Sequence, residues 1–525
     1  MKINYAIGSI FHIAKADFLQ RVRSYYFLIV LGVCVFIMYT FIPPLDAGYK
    51  ILSLGNYRGF YNSAWIGTMV AMCAPFYGLI CFYLVNNSVQ RDIDTGVGQI
   101  ISTTRISKLQ YLFGKLISNF TVLMIIVLLM AIMTVAMFLF RGETKHVEFG
   151  KLLLPLVIFT VPTMFIIAAL ALFFDSLSGL SRGFINIAFF LLWILMLSTS
   201  SAIDVFGFNS GMTELKRLVY TMHPDWNGGY VVGIGYIGSS NELKVFTLES
   251  IILSSSILLN RIFWMAVSFG LVLSGSLVFN RFDTSKIKVR KQRTRRFTGE
   301  KRTPVYNNSI ISRIKYHDIP VAKARFSYFS LIMVEIKLML RGKSTLWLII
   351  SSGLFIASVF TPMNFAYKIA LPLLWFFQIL NVSQLGTREI THRCHEYIFS
   401  TAYPLTRQLP ATLAAASVVM LLLAMPVGLR VLLSGNLYSV YAISVGALFI
   451  PALAIASGIL TGSSKLFEVI FTIMVYGILN NVPFFDFIGA IEKSGEMGMA
   501  HYILAITSGL IILAFSGRKR QITYI

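Results

Sequence analysis

Two stretches of the chain read alike. Gln90 to Tyr111 is QRDIDTGVGQIISTTRISKLQY, and Gly386 to Leu409 is GTREITHRCHEYIFSTAYPLTRQL. Each follows a hydrophobic run and leads straight into another. Each opens on arginine, acid and isoleucine, as Arg91-Asp92-Ile93 and Arg388-Glu389-Ile390. Each then sets two apolar residues before Ser-Thr, at Ser102-Thr103 and Ser400-Thr401, and closes on a hydroxyl and a cation, at Ser107-Lys108 and Thr406-Arg407. Two small gaps align them. A repeat of this kind implies two structurally equivalent halves.

The runs on either side of these loops set the fold class. The chain has 525 residues, of which 56% are hydrophobic and 13% charged, where a soluble domain carries about 25% charged residues. The apolar residues gather in runs of about 18 to 25, the length of a helix that crosses a bilayer. Backbone in lipid must satisfy its own hydrogen bonds, so these runs are helices, and a barrel would alternate instead. The expected fold is an all-α integral membrane protein.

The net charge is +23, from 45 basic and 22 acidic side chains. That excess lies in loops, as the positive-inside rule asks, rather than on a soluble nucleic-acid surface. Cys34, Cys73 and Cys81 sit in apolar runs and Cys394 in the second loop, so no disulfide framework is implied. The first apolar run has no small-x-small cleavage site after it and reads as a retained span.

Spans are expected at 26–44, 62–85, 112–139, 151–174, 183–200 and 258–279, then at 344–361, 366–383, 410–433, 438–460, 465–482 and 500–516. Twelve spans fall as six plus six. Residues 1–280 form one half and 326–525 the other, joined by a basic linker, 281–325, that belongs in the cytoplasm with both termini. Beside the membrane such a run also attracts anionic lipid headgroups.

An amphipathic helix precedes each half. In the first, Phe11, Ile13, Ala14, Phe18 and Val22 recur at helical spacing with Lys15, Asp17, Arg21 and Arg23 between them; Ser330 to Arg341 repeats the design. Asp17 and Arg23 are six apart, as are Glu335 and Arg341. The longest outer segment, 201–257, reads as a small ordered cap. It has turn signals at Asn209-Ser210-Gly211, a short strand over 231–237 and an approach helix over 248–259. Arg261 and Trp264 suit an interfacial anchor at the outer end of span six.

No phosphate-binding loop is present: the Gly342-Lys343-Ser344 string has Lys337 where the motif needs its first glycine. His392, Cys394, His395 and Glu396 invite a metal reading, with the two histidines on one helix face. They lack the order of zinc proteases and a further ligand pair, so no metal site is expected. The spans show no obvious intramembrane acid, histidine or arginine of the kind ion-coupled carriers keep. Their polar residues are Tyr77, Asn186, Gln378, Asn381 and Asn480, accompanied by Trp193 and Trp375. Such residues either bond between helices or line a path.

Taken together, an amphipathic helix, two spans and a loop of the form Arg-acid…Ser-Thr…Ser/Thr-Lys/Arg resemble the permeases of type-2 ATP-binding-cassette exporters. Asn260-Arg261-Ile262-Phe263-Trp264 entering span six is similar to them too. The resemblance covers the whole chain as two fused half-permeases. It implies that each loop folds as a coupling helix that docks on an ATPase, through Arg91, Asp92, Ile100, Arg105 and Lys108 in one half and Arg388, Glu389, Ile398 and Arg407 in the other. It implies two ATPase partner subunits that carry ATP and magnesium, no cofactor and no catalytic residue in this chain, and a location in the cell membrane. It also implies an amphipathic cargo whose path runs by spans two, five, eight and eleven. The second loop departs from the pattern at His392-Arg393-Cys394-His395. The competing class is a secondary carrier of the major facilitator type, which also has six plus six spans.

Overall fold

The computed structural model describes residues 2–45, 47, 49–54, 57–177, 182–224, 229, 231–236, 244–249, 253–279, 326–341, 343, 345–491 and 498–523. The basic linker lies outside them, as do Gly342 and Ser344.

The chain is a bundle of apolar helices. Among the described residues six are long and apolar enough to cross a membrane, and two bent helix pairs bring the number up to eight if each pair is one span. The long ones are Lys108–Arg141 (α7), Phe149–Ser176, Ser255–Val278 (α12), Pro404–Leu433 (α20), Leu437–Thr461 (α21) and Met499–Thr523 (α23). The first bent pair is α1 (Lys2–Val22) with α2 (Tyr25–Phe41); the second is α3 (Ser63–Met72) with α4 (Ala74–Val85), bent by 46°. Shorter apolar helices include α10 (Arg182–Ser198), α14 (Thr345–Phe360) and α16 (Leu371–Phe377), with α22 (Lys465–Leu479) beside them.

Phe149–Ser176 is continuous but not uniform. It runs as α8 (Phe149–Pro155), a π-helical turn over Leu156–Thr160, and α9 (Val161–Ser176). A second π turn, Ala366–Ala370, joins α15 (Met363–Phe365) to α16. Both turns run up to an X-Pro step, Val161-Pro162 and Leu371-Pro372. Proline has no N–H to give to the preceding turn, and a wider turn accommodates the loss without ending the helix.

The loops of the repeat are helical in two pieces. In the first copy α5 (Ser88–Asp94) and α6 (Val97–Ser102) meet at Gly96, whose φ of 76° needs a residue without Cβ. In the second, α18 (Arg388–Thr391) and α19 (His395–Phe399) meet at Arg393, φ 53°. That break separates His392 from His395, so the two do not share a helix face. The Ser-Thr steps end the second piece in both copies by the same bonds. Ser102 and Thr103 donate to the carbonyls of Gln99 and Ile100, and Ser400 and Thr401 to those of Tyr397 and Ile398.

At the opposite end of the bundle lies the cap, built from two segments. Tyr49–Ser53 (β1) pairs antiparallel with Val231–Tyr236 (β3), and Tyr57–Gly59 (β2) pairs parallel with Lys244–Phe246 (β4). The expected strand at 231–237 is present, and its partner is the loop that charge alone left featureless. Three expectations are corrected. Asn209-Ser210-Gly211 is no turn but the first turn of α11 (Phe208–Met222), because the Asp204 carboxylate accepts the N–H groups of Asn209 and Ser210 at 3.2 and 2.7 Å. Of the approach helix expected over 248–259, helix begins only at Ser255, as part of α12, and 247–249 lie in no helix. Arg261 is no interfacial anchor either. It is 3% exposed and donates to the Asp204 carbonyl at 3.0 Å, beneath the cap.

Candidate functional site

The first loop is fixed by a buried ionic cluster. On α1, Ala14, Asp17 and Arg21 recur at helical spacing and face the bundle, while Ile7 and Phe11 are exposed. Ile13, Phe18 and Val22 pack against the core on the same side, and Lys15 and Arg23 stay exposed, so the helix turns one acid and one arginine inward with its apolar face. Lys115 of α7 donates to Asp17 at 2.8 Å, to Asp92 of α5 at 2.8 Å and to the Ser88 carbonyl at 3.3 Å. Arg21 lies 2.8 Å from Asp17, Arg91 pairs with the same carboxylate, and Ser118 donates to it at 2.7 Å. Tyr111 donates to Asp92 at 2.7 Å. Burial would push the Asp17 carboxyl up; the adjacent charges of Arg21, Lys115 and Arg91 outweigh it and hold the group well below the carboxylate range.

The second loop repeats the plan with other partners. Arg388 pairs with Glu335 of α13 (Tyr328–Leu340), as Arg91 does with Asp17. Glu389 accepts from Gln408 of α20 at 2.8 Å and from Arg518 of α23 at 3.3 Å. Here too the acids of the amphipathic helices bond to the loop arginines, and Arg23 and Arg341 are exposed instead.

These contacts sort the expected docking residues. Asp92 and Glu389 are buried and Arg91 and Arg388 half-buried, so the Arg-acid pairs brace the loops from within. Ile100 is 68% exposed, Arg105 is exposed and Lys108 half-exposed. In the second loop Ile398 is half-buried, and Tyr397, one residue earlier, is 79% exposed. Arg407 stands between the rings of Phe326 and Tyr403, 4.3 and 5.1 Å from their centroids.

Among the residues expected along a path, Asn186 and Trp193 of α10 lie where the residues before the linker meet those after it. Trp193 packs on Tyr476 of α22 at 4.9 Å and on Phe76 of α4 at 6.2 Å, and Phe190 packs on Phe376 of α16 at 4.6 Å. Helices from the second, fifth, eighth and eleventh expected spans thus converge on one seam. Three other residues are elsewhere. Tyr77 packs on Phe41 of α2, Trp375 donates to the Met420 carbonyl of α20 at 3.1 Å, and Asn480 is exposed at the end of α22. Gln378 ends α16, and Asn381, in α17 (Ile379–Val382), donates to it at 2.8 Å; both are buried.

The expectation of charge-free spans is also corrected. Lys115 and Glu468 are buried and Lys465 half-buried, all on helices. Asn186 donates to Glu468 at 2.6 Å and accepts from Asn86 at 2.8 Å; Lys465 donates to the Asn86 carbonyl at 2.8 Å. The Tyr83 hydroxyl donates to the Asn186 carbonyl, and the Thr472 and Tyr83 hydroxyls are 3.2 Å apart. Sequence reading passed over this set because its partners are hundreds of positions apart. The one local signal was Glu468, Thr472 and Tyr476 on one helix face.

Neither family models, nor curated proteins, nor solved structures match this chain.

Proposed function

We propose that the chain is the permease of an ATP-driven exporter of the type-2 ATP-binding-cassette kind, with twelve spans as six plus six. The termini and the basic linker lie in the cytoplasm, and two separate ATPase subunits supply the energy. The reading rests on the resemblance of the two loops to coupling helices. The observation that carries it is a pair of short helices, α6 and α19, each presenting one large exposed side chain, Ile100 and Tyr397, on a loop braced by a buried ion pair. A rigid loop with an exposed apolar tip suits a groove on a partner, and the central apolar contact supplies most of the binding. The cargo is an amphipath that passes the aromatic seam.

The test has two arms. The purified chain alone hydrolyses no ATP, and with an ATPase subunit that copurifies with it, hydrolysis rises with cargo. Hydrolysis by the chain free of any partner, or no ATPase retained on it in mild detergent, overturns the reading. For orientation, single cysteines at Ser285 and Ser239, both outside the described residues, should label from opposite sides.

One observation favours the second class. Glu468 is a titratable acid on a seam helix, the kind of group an ion-coupled carrier uses. A carrier of that kind moves cargo in sealed vesicles under a proton gradient with no ATPase present; an exporter does not.

A further inference from the structure

The polar contacts of the seam form a closed figure. Asn86 ends α4, Asn186 is on α10, and Glu468, Lys465 and Thr472 are on α22. Asn86 bonds to Asn186, Asn186 to Glu468, and Lys465 back to Asn86, so each of the three helices is tied to the other two. Thr472 and Tyr83 are at most 1% exposed and Asn186 is 2%. About a turn further along α22, Tyr476 joins Trp193 and Phe76 in an aromatic layer. The seam is shut at the end where α5 begins, by a polar tie backed with rings.

The same tie continues into the first loop. Asn86 Oδ1 accepts the N–H of Asn87 at 2.8 Å. The next turn begins α5, and the Asp175 carboxylate at the end of α9 accepts the N–H groups of Asn87, Ser88 and Val89 at 2.9, 2.5 and 3.3 Å. Asp92, four residues on, is held by Lys115. A displacement of α5 is therefore transmitted directly to Asn86. The second loop is anchored differently. Gly386 packs against the backbone of α21, where an added Cβ would stand 2.5 Å from the Ile455 carbonyl oxygen, and Glu389 is tied to α20 and α23. None of these bonds reaches α4, α10 or α22, the three helices that the tie joins; the second loop runs on from the fourth seam helix, α16, through α17 and adds no bond to the tie.

We propose that Asn86, Asn186 and Glu468 are a latch that holds the seam closed at this end, and that the latch is worked from the first loop alone. The two loops then have different duties: α5 releases the seam, and the second loop is a fixed anchor. The driving of α5 by a docked ATPase rests on the function proposed above; the latch and its one-sided wiring do not.

The test needs no partner. In the full chain carrying Cys394→Ser and Thr472→Cys, a charged water-soluble maleimide is applied, and labelling at position 472 is read by mass spectrometry. The other cysteines, Cys34, Cys73 and Cys81, are buried. Position 472 should label slowly. Adding Asn186→Leu or Glu468→Leu should raise the rate about tenfold, the factor that loss of one buried hydrogen bond brings. Asn186→Ser replaces either variant if it does not run as a single peak by size exclusion. Asp175→Asn, which loosens α5, should raise labelling as well, while Glu335→Gln, which loosens the second loop, should leave it at the parent rate. Rapid labelling in the parent, or a blocked cysteine in folded latch variants, overturns the latch. Equal opening by Asp175→Asn and Glu335→Gln overturns the one-sided wiring. Loss of ATPase copurification with these labelling results intact overturns only the exporter reading.

Discussion

Asp92 and Lys115 stand 2.8 Å apart with both side chains nearly closed to solvent. The acid that the loop sequence offered as a docking charge is thus spent inside the protein. Without Asp92, Lys115 keeps only Asp17 as an acid partner, in a cluster of three cations and one acid, and the buried Tyr111 hydroxyl loses its acceptor, at a cost of about 1–3 kcal/mol. Asp92→Ala should therefore lower the thermal unfolding midpoint sharply, whatever it does to a partner. Arg91→Ala, at a side chain 30% exposed, should cost at most about 1 kcal/mol. Unfolding scans in detergent check both, and equal midpoints for Asp92→Ala and the parent would refute the buried cluster.

Ile100 and Tyr397 separate binding from folding. Replacing either by Asp removes exposed surface, so unfolding should not change. ATPase retention should fall by roughly thirtyfold, the loss of about 2 kcal/mol that marks an interface hot spot. Ile398→Asp buries a charge at a half-buried position and should destabilise the chain instead. Copurification beside unfolding scans reads the difference.

Gly386 and Gly458 allow the second loop to lie on α21. An added Cβ at Gly386 would meet the Ile455 carbonyl oxygen at 2.5 Å and the Gly458 Cα at 3.0 Å. Backbone cannot yield as a side-chain tip does, so Gly386→Ala should cost about 1–3 kcal/mol. Gly458→Ala acts on the same contact, so the double variant should cost less than the sum. Unfolding midpoints of the three variants decide it.

Outside the bundle, Arg58 donates to both oxygens of Glu143 at 2.9 and 3.2 Å, and the Tyr61 N–H donates at 2.8 Å. Partial burial raises the Glu143 carboxyl, and the Arg58 and Tyr61 hydrogen bonds with the Arg58 charge outweigh it, so the group titrates below its ordinary 4.5. A depressed carboxyl stabilises the fold above its unfolded value, and that contribution is lost as pH falls through the folded one. Protease resistance of the 45–61 segment should therefore persist at pH 4.5 and drop in stronger acid. Arg58→Met should move that drop to higher pH, and an unshifted profile would count against the pairing.

The helical character was legible in the apolar runs, and the Ser-Thr steps announced real helix ends, because both signals are local. The acids Asp17 and Glu335 were also readable as a matched pair of positions. Their partners were not: the bundle supplied Arg91 and Arg388 from loops more than fifty residues away. The cap and its strand at 231–236 were legible, but the partner strand was not, since β1 lies some 180 positions earlier. Glu468 was passed over when the spans were read as free of obvious charge, because nothing near it in sequence says that Asn186 faces it across 282 residues.

On the proposed six-plus-six reading, that facing pair bears on why the two halves would be one polypeptide. Asn186 and Glu468 each stand about one turn inside their helices, α10 and α22. A symmetric dimer of identical half-chains meets like with like across its axis. Two glutamates there would repel, and two asparagines would bring no charge to steady Lys465. A single chain is free to set an amide against a carboxylate and to mutate one side without the other. The seam can thus be tuned one residue at a time, a freedom that no homodimer of a half has.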